Sequence, residues 1–177
     1  MHCKSVNGLY TVRSENMAFK IPYLLCFFFM GCFTYSFTGS LPTHIKSVAI
    51  PLFEDNTAYP GVREDLTNSV INEFISDNTL RVTSESQADL VISGVISSIT
   101  QKAAILSAGE TVNEYQIYVN VKVKCEDIKS NKVLWDKTLS EFGVMPGTGS
   151  QDERNQAIQI AIEKLTNDIL NNTLGYW

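Results

Sequence analysis

The sequence predicts an α/β fold: an α+β two-layer sandwich in which two helices pack on one face of a mixed sheet of about four strands. Three observations carry this. In residues 114–125, Tyr115, Ile117, Val119, Val121, Val123 and Cys125 alternate with Gln116, Tyr118, Asn120, Lys122 and Lys124. That is the period of two expected of a half-buried strand. Two further stretches, 62–77 and 150–169, repeat apolar residues at helical spacing. The first of them lies between β-rich runs, at the length of a right-handed strand–helix–strand crossover, which joins parallel strands.

Taken in order, residues 45–52 are a β-rich run with Pro51 near its end, and Tyr59-Pro60-Gly61 marks a turn. A helix follows over 62–77, with Val62, Leu66, Val70 and Phe74, joined by Ile71 and Ile75, as its apolar stripe. Pro60 suits the first turn of such a helix. Residues 80–83 start a strand, which 84–87 interrupt, and 88–104 read as a long strand. Its first half is apolar on both phases, which predicts cover on both faces. Gly94 there marks a bulge or a close contact. After a turn near Ala108-Gly109 comes the alternating strand, a polar turn over 127–131 and a third long strand over 132–142. Residues 143–149 read as a loop. Ser150 followed three positions later by Glu153 matches a capping box, opening a helix with Ile158, Ala161, Ile162, Leu165 and Ile169 as its stripe. The order is β-α-β-β-β-α, with antiparallel pairing where connections are short.

The N-terminal region obeys other rules. Residues 21–30 form a ten-residue apolar run after Lys20, too short to span a bilayer. The run is the apolar core of a targeting signal over residues 1–31, and Met17 offers an alternative start. Gly31 precedes Cys32, which matches a bacterial lipoprotein signal. On that reading Cys32 becomes the first mature residue and carries an N-acyl diacylglycerol group, residues 32–42 are a lipidated tether, and 43–177 form a single domain. The plainer alternative is a cleaved secretory signal with Cys32 beside the cut.

Without residues 1–31 the chain keeps 11 basic and 18 acidic residues, a net charge of −7. That argues against nucleic-acid binding, which needs a basic footprint. If Cys32 is acylated, Cys125 is the one thiol left. A disulfide and a cysteine metal cluster are then excluded, and Cys125 reads as a small core residue. His44 is the only histidine outside the leader, and no motif gives it a Ser, Cys or Asp constellation. No phosphate-cradling glycine loop is present. The chain therefore reads as a non-enzyme with no cofactor. What remains is a surface. Lys122, Lys124 and Lys137 on adjacent strands are candidates for contact with phosphates, against the plainer reading of a solvated sheet face or edge lysines that block aggregation. Tyr115 and Tyr118 are candidate interface anchors.

The run Cys32-Phe33-Thr34-Tyr35-Ser36-Phe37-Thr38-Gly39, the element order, and Glu114-Tyr115-Gln116 at the start of the alternating strand resemble the lipopolysaccharide-assembly lipoprotein family, LptE. The resemblance implies an outer-membrane lipoprotein on the periplasmic side of a Gram-negative envelope. Such a protein sits inside the β-barrel translocon LptD, assists its assembly and helps deliver lipopolysaccharide to the outer leaflet. It implies LptD, lipopolysaccharide and outer-membrane lipids as partners. It also implies basic residues near the turn before the alternating strand and in the strand that follows; here Lys102 is nearest to that turn, and Lys137 falls in the following strand. The rival expectation is a lipoprotein adaptor of another envelope complex, such as a cell-wall synthase activator or a secretion accessory.

Overall fold

The computed structural model describes residues 42–106, 112–146 and 149–175. The leader, Cys32, the tether up to residue 41 and the turn near Ala108 lie outside them. One sheet carries the strands β1 (Ser47–Ala49), β2 (Glu54–Asp55), β3 (Arg81–Val82), β4 (Leu90–Leu106), β5 (Val112–Asp127) and β6 (Lys132–Pro146). Helix α1 (Val62–Asp77) and helix α2 (Gln151–Leu174) pack against each other. The strand order is β3-β1-β4-β5-β6, with β2 also pairing to β4. β1 runs parallel to β3 and β4, while β4, β5 and β6 are antiparallel neighbours. The two-layer mixed architecture is the one the sequence predicts.

The sheet has six strands rather than about four, for two local reasons. Pro51 lacks an N–H, so it cannot donate to a ladder. The predicted strand over 45–52 therefore ends at Ala49, and pairing with β4 resumes only at Glu54. The second reason is the interruption over 84–87. It contains a short 3-10 turn, Glu85–Gln87, and the strands on its two sides, β3 and β4, flank β1 on opposite edges.

α1 has its predicted bounds. It starts after Gly61, at φ 85°, and ends at Asn78, at φ 58°. Both are left-handed positions that glycine and asparagine accept readily. Val62, Leu66, Val70 and Phe74 are buried, while Ile75 points to solvent. α2 begins at the predicted capping box, with Glu153 N donating to Ser150 Oγ at 3.2 Å and Ser150 N to Glu153 Oε2 at 2.8 Å. All five stripe residues of α2 are buried.

The core lies between these helices and one face of the sheet. Ile117, Val119, Val121, Val123 and Cys125 of β5 are fully buried on that face. Burial and the neighbouring Glu126 and Asp127 push the Cys125 thiol up to about 12, so it is a packed, inert side chain. Leu90, Ile92 and Ile96 of β4 join them. Val91 and Val95, on the other phase, are only half-buried, so the second face lacks the full cover the sequence predicts. Gly94 is a close contact: a Cβ there would lie 2.6 Å from the Phe53 ring. Gly143 belongs to β6 and not to a loop, because its missing side chain admits α2.

Candidate functional site

With both helices on one side, the other face of β4–β6 is open. Residues directly opposite in an antiparallel pair share a face. Lys122 faces Val95 and Thr138, and Lys124 faces Ser93 and Asp136. These two lysines therefore stand together on the open face, as the sequence predicts. They are not a free cationic strip, however. Lys124 Nζ lies 2.7 Å from Glu126 Oε1, and Lys122 Nζ lies 3.7 Å from Asp136 Oδ2.

Lys137 corrects the predicted trio. It lies opposite Val123, between Trp135 and Leu139, and so belongs to the helix-covered face. From the β6 edge its Nζ donates to Asn172 Oδ1 of α2 at 2.7 Å. The two tyrosines also separate. Tyr115, opposite Met145, packs half-buried against the core, whereas Tyr118 is on the open face. Strand parity puts residues of odd and even number on opposite sides, so neither set can act as one patch.

A different group converges around Tyr118. Its ring lies 5.1 Å from that of Phe142, the residue opposite it on β6. Lys102 Nζ stands 4.4 Å from the centre of the Tyr118 ring. Lys164, reaching from α2, stands 4.5 Å from the centre of the Phe142 ring and donates to the Phe142 carbonyl at 2.7 Å. The result is a row of cation, ring, ring and cation. Each cation–ring contact contributes about 0.5–1 kcal/mol at an exposed site and leaves ammonium N–H groups for an anion. Phe142 and Lys164 are not among the residues that the sequence singles out. The only signal was the register, since Phe142 falls opposite Tyr118 only once β5 and β6 are paired.

A second polar cluster lies at the pole of the sheet where the chain enters the fold. His44 Nε2 is 2.7 Å from Asp127 Oδ2. Asp127 Oδ1 accepts the backbone N–H groups of Lys129 and Ser130. Burial works to raise the Asp127 pKa, but hydrogen bonds from Ser130 and His44 outweigh it and hold the carboxyl at about 2. Asp89 accepts from Lys129 Nζ, Lys46 N, Ser47 N and Ser47 Oγ. The Lys129 ammonium and these N–H groups keep it well below the usual carboxylate range, against the effect of burial. His44 thus has an aspartate that no motif revealed. Ser47 bonds to Asp89 and His44 to Asp127, so the structure pairs them separately.

A family model for lipopolysaccharide assembly, LptE, matches residues 45–173. The chain belongs to the LptE family. The match to LptE spans every element from β1 into α2, including the open face and the ring row. No curated protein matches the sequence. Among solved structures, a hypothetical protein from Chlamydia trachomatis is similar with a TM-score of 0.58 and 14% identity, over 75% of this chain and 97% of that one. A Xanthomonas campestris protein is similar at 0.57 and 12% identity, over 77% and 90%. Uncharacterized lipoprotein B from Nitrosomonas europaea is similar at 0.52 and 16%, over 78% and 87%. At these identities the likeness speaks for the fold shared with this LptE-family chain.

Proposed function

We propose that this protein is an outer-membrane lipoprotein, anchored through Cys32 on the periplasmic side, that plugs the LptD β-barrel, assists its assembly and helps deliver lipopolysaccharide. The family match over residues 45–173 carries this reading. The role is one of binding, not catalysis: the partner surface is the open sheet face, and no cofactor takes part. Lys102 and Lys164, each resting on a ring and exposed, are the cations best placed for the phosphates of the glycolipid. Lys is a usable phosphate partner, though less selective in geometry than Arg. Lys122 and Lys124 contribute less, because nearby carboxylates already compensate them.

The test is depletion of the protein in its host, followed by measurement of assembled LptD and of surface lipopolysaccharide. Both fall if the reading is right. Normal barrel assembly together with normal surface glycolipid would refute it.

A further inference from the structure

At the pole where the chain enters the fold, a cleft of about 680 Å³ is lined by Thr43, His44, Lys46, Arg81, Asp89 and Lys129, among others. The carboxylates at this pole, Asp89 in the cleft wall and Asp127 bonded to His44, are turned inward and occupied. Asp89 is 6% and Asp127 3% exposed, and both accept hydrogen bonds from backbone N–H groups and from Lys129 or His44. The side chains of Lys46 and Arg81 are exposed, with no acidic partner among the described residues. In a chain of net charge −5 this is a local reversal of sign. Lys46 follows directly on the segment that leads back to Cys32. From Cys32 to Thr43 a chain can span at most roughly 40 Å.

We infer that this cleft rests on the anionic phospholipid surface that holds the anchor, with Lys46 and Arg81 meeting lipid phosphates. The inference rests on the Cys32 anchor proposed above. It assigns the pole of the fold a second, electrostatic attachment, as one lipid signal gains from a basic patch beside it. A basic residue close to an anionic membrane strengthens attachment about fivefold.

The test uses the mature chain, residues 32–177, carrying Cys32→Ala, so that neither an acyl group nor the apolar leader binds lipid, in co-sedimentation with vesicles. The expected result is tighter binding to phosphatidylcholine vesicles containing phosphatidylglycerol than to phosphatidylcholine alone. Adding Lys46→Ala and Arg81→Ala should weaken the anionic binding by about tenfold or more, with circular dichroism unchanged. Adding Lys122→Ala and Lys124→Ala instead should leave it intact. Equal binding to both vesicles, no effect of the cleft pair, or an equal loss in the open-face pair would overturn the inference. Mass analysis of the natural chain tests the anchor separately: a bare Cys32 would refute the anchor while a cleft effect on vesicles still stood.

Discussion

Gly143 of β6 lies directly against Ala157 of α2: a Cβ at Gly143 would stand 2.0 Å from the Ala157 carbonyl oxygen and 2.7 Å from its Cα. The obstacle is helix backbone, which cannot swing aside as a side chain can. Gly143→Ala should therefore force α2 off the sheet and cost about 3 kcal/mol, the upper part of the usual overpacking range. Urea unfolding of the variant measures this. A glycine serving only chain freedom would instead gain stability from the same change.

The entry pole should make stability depend on acid. The Asp127 carboxyl is held at about 2 in the folded protein, against an ordinary value of 3.8. A carboxyl depressed by folding contributes fully above the unfolded value and loses that contribution as pH falls through the folded one. The contribution is on the order of 2 kcal/mol, lost between about pH 4 and pH 2, with Asp89 adding in the same direction. Asp127→Asn should lower stability at pH 7 and flatten the acid limb, as read by thermal unfolding across that window. An acid limb as steep as that of the parent would assign the acid sensitivity to other carboxylates.

Glycolipid binding should depend on the ring row more than on the strand lysines. Lys102→Ala with Lys164→Ala should weaken binding about fivefold to thirtyfold, at roughly 0.5–1 kcal/mol for each exposed contact between charges. Lys122→Ala with Lys124→Ala should weaken it less than twofold. Titration with lipopolysaccharide at two salt concentrations checks both, since exposed contacts are screened. The reverse ranking would return the site to the strand lysines.

Cys32→Ala should leave an unprocessed or soluble form. Each buried CH₂ of an acyl chain contributes about 0.8 kcal/mol, and stable anchoring takes more than one such signal. Fractionation of the envelope, with mass analysis of the N-terminal peptide, is the measurement. Full processing to residue 32 and full outer-membrane recovery of the variant would count against the anchor.

Much of the fold follows from local pattern. The alternation of β5, the stripes of α1 and α2 and the Ser150–Glu153 cap are short-range features, because helix and strand periodicity are properties of neighbouring residues. The family resemblance was also legible in the chain, and the match over residues 45–173 bears it out. Tertiary structure decided which residues meet. Lys137 belongs opposite Val123, and Phe142 opposite Tyr118, because of the β5–β6 register; a shift of one residue would exchange the faces. Asp127 reaches His44 across 83 positions of sequence. The β-strand over 45–52 breaks where Pro51 meets the ladder, and Gly143 stays in a strand because a helix needs its space. Each is a long-range packing relation, and no local spacing encodes it.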